Sequence, residues 1–240
     1  MAGVIALTWT RRGRRVFARR LSPVLVSLRI WRRTRPTRVS PQYVILGAGL
    51  DTFAQRRQDI ASRLRVFEVD QQGPQAWKRQ RLLELGFGIP EWLRLVPANF
   101  EVSGSWWREL AAGGFDRSLP AVVASTGVSM YLSKKATMDA LRQLAELAPG
   151  STLAMTFLLP PELLDQADRS VLQESKKGAR ASGTPFVSFY PPEEMVAMAR
   201  EAGFTEVRHI AGSELGDRYF GDRTDGLRPS TGEDFVVAAI

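Results

Sequence analysis

Two glycines and one acid are the residues whose types and spacing first indicate chemistry. Gly47 and Gly49 follow directly on an apolar run at residues 43–46. Because neither glycine has a Cβ, the backbone there can bend sharply and approach a ligand closely. Asp70 ends a second apolar run, 21 residues after Gly49. In a strand–turn–helix–strand unit, an acid at that place accepts hydrogen bonds from both hydroxyls of a ribose.

The residue that follows the turn indicates which ribose-bearing ligand fits. The dinucleotide fingerprint has a third glycine where this chain has Thr52, so the start of the next helix is not adapted to a pyrophosphate. We therefore expect a cofactor with a ribose and no phosphates, for which S-adenosylmethionine is the obvious candidate. Two alternatives stay open: an ordinary strand–turn–helix with an incidental acid, and a nicotinamide-dependent oxidoreductase, against which Thr52 argues.

Further polar and aromatic residues follow the ends of two later predicted strands. Asn99 and Phe100 come after the third strand, and Thr126 and Gly127 come after the fourth. In an open parallel sheet, ligands bind at the carboxyl ends of the strands. The amide of Asn99 offers a donor and an acceptor to an adenine edge, and Phe100 offers its ring. The alternative is a loop asparagine beside a core phenylalanine.

A parallel sheet is needed to bring these residues together, and the apolar runs predict one. Strands are predicted at residues 43–46, 65–70, 92–97, 120–125, 151–158, 204–210 and 234–240, and helices at 53–64, 74–85, 106–112, 133–147 and 191–202. Strands alternating with helices at this spacing indicate an α/β fold. We expect a Rossmann-like, seven-stranded, mostly parallel sheet with an antiparallel last strand and helices on both faces.

The sequence also predicts an insertion, a long loop and the exposed face of one helix. Residues 160–190 begin with two prolines, continue as a charged helix and end loosely, which predicts a lid-like insertion over the pocket. Residues 212–232 are predicted to form a long polar loop. The lysine and arginines of the helix at 74–85 are expected on a solvated face.

Composition excludes several kinds of site. The chain has 240 residues, no cysteine and one histidine, which excludes disulfides, thiolate metal sites, cysteine nucleophiles and histidine-rich metal sites. We therefore predict no metal site. No stretch approaches the roughly 18 consecutive apolar residues of a membrane span, and a cytoplasmic location is expected.

The net charge of +8 is concentrated at the N-terminus. Residues 1–50 contain eleven arginines and no acid, so the rest of the chain has 22 basic and 25 acidic residues. The body is mildly acidic, and no nucleic-acid partner is expected. Residues 1–40 are interpreted as a separate, atypical basic segment. A targeting leader, a lipid-surface helix and a nucleic-acid tail are the alternatives to this interpretation.

The motifs together resemble the class I S-adenosylmethionine-dependent methyltransferases, and more narrowly the leucine carboxyl methyltransferase family with its bacterial branch. The resemblance covers residues 42–240. It is carried, in order, by QYVILGAGLDTFAQR at 42–56, FEVDQ at 67–71, VPANF at 96–100, GVSMYL at 127–132, PGS at 149–151, EAGF at 201–204, RYF at 218–220 and GLRP at 226–229.

The resemblance implies a methyltransferase domain over residues 41–240 with S-adenosylmethionine as its cofactor. Typical members have Asp in place of Asn99, many have Glu in place of Thr126, and they carry a longer N-terminal region that caps the pocket. The glycine turn would lie against the methionine part, Asp70 would bind the ribose, and Asn99 with Phe100 would frame the adenine. The implied cofactor-binding residues are Gly47, Ala48, Gly49, Asp51, Asp70, Gln71, Asn99, Phe100, Thr126 and Gly127.

The methyl acceptor is expected to be a carboxylate or hydroxyl on a small molecule or peptide. A carboxylate is already ionised at neutral pH and needs no general base, whereas a hydroxyl would need one. His209, the single histidine, is interpreted as structural. Arg218 and Tyr219 are the candidates for orienting an anionic acceptor, and Tyr131 and Tyr190 are weaker ones. A homologue that binds the cofactor without turnover is the alternative function.

Overall fold

The computed structural model describes residues 42–102, 104–220, 222, 224–225 and 231–240, and the backbone of Arg15–Val16 and Arg228–Pro229, which pair as two short parallel strands. Apart from Arg15–Val16, the basic segment predicted at residues 1–40 lies outside the described residues.

Seven strands form the main sheet, and their apolar side chains explain why they are buried. In chain order they are β1 Gln42–Leu46, β2 Arg65–Asp70, β3 Leu93–Pro97, β4 Ala121–Ser125, β5 Thr152–Leu158, β6 Glu206–Ile210 and β7 Glu233–Ala239. The spatial order is β3-β2-β1-β4-β5-β7-β6. Only β7 is antiparallel to its neighbours, β5 and β6, in this sheet. The predicted Rossmann-like fold with an antiparallel last strand is confirmed.

The helices of the described residues lie between these strands along the chain. They are α1 Phe53–Arg56, α2 Gln58–Ala61, α3 Gln72–Glu84, α4 Ser105–Ala112, α5 Lys134–Ala145, α6 Gln166–Ala181, α7 Pro192–Ala202 and α8 Gly212–Phe220, with single 3₁₀ turns at Ser129–Tyr131 and Pro161–Leu163. Among the described helices, none is both long and apolar enough to cross a lipid bilayer.

Helices cover both faces of the sheet, as the alternation of side chains along β1 shows. Val44 and Leu46 belong to a core cluster that includes Trp106 of α4. Tyr43 and Ile45 point to the opposite face, into a cluster around Phe53.

The parallel register brings the ends of three strands to one edge of the sheet. Leu46, the last residue of β1, lies opposite Val69 of β2 and Ser125 of β4. The residues that follow each strand therefore meet at the same edge.

Some local predictions are confirmed. The Ser133 hydroxyl accepts the Ala136 N–H at 3.1 Å and begins α5. Gly203, with a φ of +115°, ends α7. A left-handed glycine at this place is a common way to end a helix.

Three predictions about helices are wrong in their bounds or type. The single helix predicted at 53–64 is two short ones, because the backbone of Arg57 leaves the helical region. The two prolines at 160 and 161 open only a 3₁₀ turn, and α6 begins after Asp165, whose carboxylate accepts the Asp168 N–H at 2.7 Å. The predicted loop at 212–232 begins with α8.

Long-range contacts explain the helix in place of that loop. The carboxylate of Asp234 in β7 accepts the Gly212 N–H at 2.8 Å at the helix start. Leu215 and Tyr219, four residues apart on α8, pack with Ile210 and Phe235. Gly212 and the charged residues of the segment gave no local sign of these contacts.

Candidate functional site

The glycine turn after β1 is held by the second strand. The carbonyl oxygen of Val69 accepts the N–H groups of Gly47 at 2.8 Å and Ala48 at 3.1 Å. The Asp70 carboxylate oxygen Oδ2 accepts the Gly49 N–H at 2.6 Å. The turn and the tip of β2 are therefore one hydrogen-bonded unit. The spacing of these residues had predicted that the acid lies at the tip of this strand, but not these bonds.

Gly47 has no room for a side chain. A Cβ on Gly47 would lie 2.2 Å from Cγ2 of Val128, in the segment that follows β4. Gly47 also has a φ of +68°, which L-residues with side chains rarely adopt. Gly49 has a φ of +46°, and a Cβ there would lie 3.8 Å from Oδ2 of Asp70. The turn is thus a cradle that requires glycine at both positions, more strictly at Gly47.

The carboxylate of Asp70 keeps capacity for a ligand. Its Oδ1 accepts the Gln71 N–H at 2.6 Å, while its Oδ2 takes the Gly49 N–H. An ionised carboxylate has about four acceptor sites, so both oxygens can still accept from two neighbouring hydroxyls. Asp70 is half-buried. These acceptor sites would fit the hydroxyls of the ribose that the sequence predicted.

Asp51 has a structural role in the turn. Its Oδ1 accepts the Phe53 N–H at 2.7 Å and so starts α1. Its own N–H donates to the carbonyl of Ala48 at 2.7 Å, which closes the turn. Its carbonyl oxygen accepts from Nζ of Lys78 at 2.8 Å.

Sequence reasoning missed the ion pair between Glu68 and Lys78. Lys78 of α3 is in direct contact with Oε2 of Glu68 in β2, and the two side chains are 6% and 0% exposed. The prediction that the lysine of this helix faces solvent is therefore wrong. The signal in the sequence was an acid between Phe67 and Val69, in the middle of an apolar strand. A carboxylate buried there needs a cationic partner from another element.

These buried charges affect the protonation of their surroundings. Burial raises the pKa of Glu68, and the charge of Lys78 opposes that rise. Burial also raises the pKa of the Tyr43 hydroxyl, with smaller contributions from the carboxylates of Asp51 and Glu68. Tyr43 therefore stays neutral, with its ring packed edge-on against Phe53 at 5.2 Å between centroids.

Asn99 and Phe100 lie at the end of β3, on the same edge as Asp70. The exposed side chain of Asn99 accepts the Glu101 N–H through Oδ1 at 3.0 Å, which leaves its amide hydrogens available. The half-buried ring of Phe100 packs against Trp106 at 5.9 Å between centroids. A polar group and an aromatic face are thus present at the predicted adenine position.

Thr126 and Gly127 complete the edge after β4. The Gly127 N–H donates to the Thr156 hydroxyl at 2.8 Å, and the Ser129 hydroxyl donates to the Thr156 carbonyl at 2.9 Å. These bonds fix the segment that carries Val128 against Gly47. Thr126, which directly precedes Gly127 in the chain, has a half-buried side chain.

Known proteins resemble this chain over the part that carries the edge. Residues 34–145 match the family model described as leucine carboxyl methyltransferase. Over 187 residues, the chain is 29% identical to the "Putative S-adenosyl-L-methionine-dependent methyltransferase YktD" of Bacillus subtilis, covering 78% of this chain and 61% of that protein. A Mycobacterium sp. (strain KMS) protein named in the same way is 33% identical over 187 residues, covering 78% of this chain and 56% of the relative.

Over residues 34–145, the chain is therefore similar to the leucine carboxyl methyltransferase family. It spans about three-fifths of the length of these two relatives, 61% and 56%. Both relatives are named for S-adenosyl-L-methionine, the cofactor that the sequence predicted for this chain.

Solved structures at low identity show the same fold. A structure described as a "putative O-methyltransferase" from Nostoc punctiforme PCC 73102 has a TM-score of 0.57 at 12% identity, covering 91% of this chain and 55% of that one. Human N-acetylserotonin methyltransferase, solved with S-adenosylmethionine bound, has a TM-score of 0.51 at 14% identity, covering 90% and 50%.

The first two acceptor-orienting candidates, Arg218 and Tyr219, lie on α8, away from the glycine turn. Arg218 is exposed on α8, with its guanidinium carbon 5.6 Å from the ring centroid of Tyr219. Tyr219 packs beside Ile210 and Phe235 of β6 and β7. Two strands, β4 and β5, lie between β7 and the strand that carries the glycine turn.

The weaker candidates Tyr131 and Tyr190 differ in exposure. Tyr190 is fully buried and donates its hydroxyl to Oγ1 of Thr137 at 2.9 Å, so its contacts are structural. Tyr131 is half-buried, and its ring meets that of Phe186 edge-on at 5.3 Å between centroids. Tyr131 is therefore the more accessible of the two.

His209 is engaged in a pair with Asp234. Its Nε2 lies 2.7 Å from Oδ2 of the buried Asp234, whose other oxygen holds the start of α8. This arrangement agrees with the structural interpretation of the histidine. Among the described residues, no cluster of three or more His, Cys, Asp or Glu could hold a metal ion.

Proposed function

We propose that this chain is an S-adenosylmethionine-dependent methyltransferase that methylates an oxygen of a small-molecule or peptide acceptor. The observation that carries the proposal is the hydrogen bond between Gly49 and Asp70, at 2.6 Å. It brings a carboxylate with free acceptor sites beside a turn that has glycine at positions 47 and 49. The match of residues 34–145 to the leucine carboxyl methyltransferase family model supports the same activity.

The residues along this edge fit the cofactor. The backbone of the glycine turn would lie against its methionine part, Asp70 would accept from its ribose hydroxyls, and Asn99 with Phe100 would meet its adenine. Ala48, Asp51, Gln71, Thr126 and Gly127 complete the proposed cofactor-binding set. When bound, S-adenosylmethionine supplies an electrophilic methyl group on a sulfonium.

The task of the protein is then to orient the acceptor and to exclude water. A carboxylate acceptor needs no base, because it is ionised at neutral pH. His209 is four strand spacings from β1 in the sheet order, roughly 19 Å at about 4.8 Å each. Its Nε2 is also already engaged by Asp234. The position of the single histidine therefore favours a carboxylate over a hydroxyl acceptor.

The insertion at residues 160–190 is proposed to close the acceptor side of the domain at 41–240. The end of the insertion, at residues 186–190, lies against the segment that follows β4. The carbonyl of Met130 in that segment accepts the Val187 N–H at 2.8 Å. The rings of Tyr131 and Phe186 meet across the same junction. Arg218 and Tyr219, on α8, remain the candidates for an anionic acceptor group.

Binding and turnover test the proposal separately. S-adenosylhomocysteine at 100 times its dissociation constant should stabilise the purified protein by about 2.7 kcal/mol. Transfer of labelled methyl groups should then be measured with a panel of carboxylate and hydroxyl acceptors. Absence of any binding would refute the proposal, and tight binding of NADH in its place would support the oxidoreductase alternative.

A cofactor-binding homologue without turnover is the second candidate function. Asn99 and Thr126 stand where typical family members carry acids, so two charges are missing from the edge. This candidate predicts binding of S-adenosylhomocysteine but no methyl transfer to any acceptor in the panel. Restoring the acids, as Asn99→Asp and Thr126→Glu, should then strengthen binding.

A further inference from the structure

The buried pair of Glu68 and Lys78 lies directly beneath the glycine turn. Lys78 extends from α3 to reach Oε2 of Glu68 in the middle of β2, and both side chains are almost wholly excluded from water. Taking two charges out of water costs free energy that their attraction does not always recover. The pair is therefore weak evidence for stability by itself, and a second role for Lys78 has to be considered.

Lys78 makes a second contact, and this one reaches the proposed site. Its Nζ donates to the carbonyl oxygen of Asp51 at 2.8 Å. Asp51 closes the glycine turn through its N–H to Ala48 and starts α1 through its carboxylate. The ammonium group thus joins α3 to the end of the turn.

We propose that Lys78 is a positioning residue for the cofactor: held by Glu68, its ammonium fixes the backbone of the glycine turn in the conformation that binds S-adenosylmethionine. Lys78 acts through Asp51 and does not itself touch the cofactor. The inference rests on the proposed function, because it concerns the same site.

Glu68 is required for this role because a lysine side chain is long and flexible. A buried ammonium without a counter-charge tends to lose its proton or to turn toward water. Glu68 is in direct contact with the ammonium group and holds it where it reaches the turn. The side-chain amide of Gln75, one helical turn before Lys78, donates to the Glu68 carbonyl at 2.6 Å and fixes α3 on the same strand.

The turn is consequently held at two points by one strand–helix unit. Asp70 holds Gly49 from the tip of β2, and Lys78 holds Asp51 from α3. Loss of either link should let the turn move, and the free energy needed to order it again would weaken cofactor binding.

The test separates stability from binding with two variants. Lys78→Met leaves a buried carboxylate without its cation, so both the midpoint of urea unfolding and the affinity should fall. Lys78→Met with Glu68→Gln removes both charges, so the midpoint should recover most of the loss. Its affinity for S-adenosylhomocysteine, measured by titration calorimetry, should stay about tenfold weaker than in the wild type, since one hydrogen bond of the turn is still missing.

The control is Arg79→Met, at an exposed position next to Lys78 on the same helix. It should change neither the midpoint nor the affinity. Lys78→Arg keeps the charge, and it should retain more affinity than Lys78→Met. If the double variant binds as tightly as the wild type, the pair is only structural and the inference is wrong. If the wild type does not bind at all, the proposed function fails and the inference fails with it.

A pH profile gives a readout independent of the cofactor. Burial raises the pKa of Glu68, and Lys78 opposes the rise, so Lys78→Met should raise this pKa further. A carboxyl whose pKa is raised on folding contributes stability below its unfolded pKa and loses it as pH rises through the folded pKa. The stability of Lys78→Met should therefore go on falling with rising pH beyond the point at which that of the wild type levels off. The double variant should not show this extended fall, and if it does, Glu68 is not the group responsible.

Discussion

The carboxylate of Asp70 accepts the backbone N–H of Gly49 at 2.6 Å, so the tip of β2 and the glycine turn after β1 form one structure. The bond spans 21 residues of sequence. Both carboxylate oxygens keep acceptor sites for a ligand bound at the turn. This relationship links the fold to the proposed cofactor site.

Asp70→Asn should weaken cofactor binding more than it weakens the fold. The amide can accept the Gly49 N–H or the Gln71 N–H but lacks the charge that strengthens bonds to ribose hydroxyls. We expect the dissociation constant for S-adenosylhomocysteine to rise about 10- to 100-fold, from the loss of roughly 1.5–3 kcal/mol of charged hydrogen bonding. Titration calorimetry measures it. Asp59→Asn, at an exposed acid paired with Arg57, is the matched control. An unchanged dissociation constant in Asp70→Asn would remove the ribose assignment.

Gly47→Ala should damage the site more than Gly49→Ala. The Cβ at position 47 would lie 2.2 Å from Val128, whereas the Cβ at 49 makes an ordinary contact of 3.8 Å with Asp70. Both carry the strain of a positive φ, of order 1–3 kcal/mol. Urea unfolding and S-adenosylhomocysteine binding should both rank the variants in this order. Adding Val128→Ala to Gly47→Ala should restore part of the stability; the reverse ranking would show that the turn relaxes away from Val128.

Asp234→Asn should destabilise α8 and the strand that precedes it. The carboxylate accepts the Gly212 N–H at 2.8 Å and pairs with His209 at 2.7 Å. An amide cannot serve both contacts with the same charge, and we expect a loss of about 1–3 kcal/mol. Thermal unfolding measures this loss, and hydrogen exchange should show faster exchange confined to residues 209–220. Glu214→Gln, at an exposed position on the same helix, should have a smaller effect. Equal effects of the two variants would argue against Asp234 as the anchor.

Tyr190→Phe should loosen the end of the insertion, at residues 186–190. The Tyr190 hydroxyl donates to Oγ1 of Thr137 at 2.9 Å in a fully buried setting, so its removal leaves the threonine oxygen without this partner. We expect a loss of about 1–2 kcal/mol in the free energy of unfolding. Tyr190→Phe combined with Thr137→Val should cost less than Tyr190→Phe alone. A double variant that is less stable than both single ones would show that the bond is not what matters there.

The type and order of most elements could be predicted from the sequence. Alternating apolar runs and helical segments are local signals, and they predicted the parallel sheet and the antiparallel last strand. The spacing of Gly47, Gly49 and Asp70 also predicted that these residues would meet. That prediction is reliable because parallel strands end at one edge whatever the details of their packing.

The identity of the partner groups was decided by tertiary structure. Nothing near Lys78 in the sequence shows that it is buried, since Glu68 lies on another element ten residues earlier. The helix at Gly212–Phe220 likewise depends on Asp234, which arrives from β7. Sequence periodicity reports which way a residue faces along its own element, whereas a buried charge or a helix anchor depends on what another element brings to it. The glycine turn was therefore determined by the sequence, and the links that hold it in place were determined by the fold.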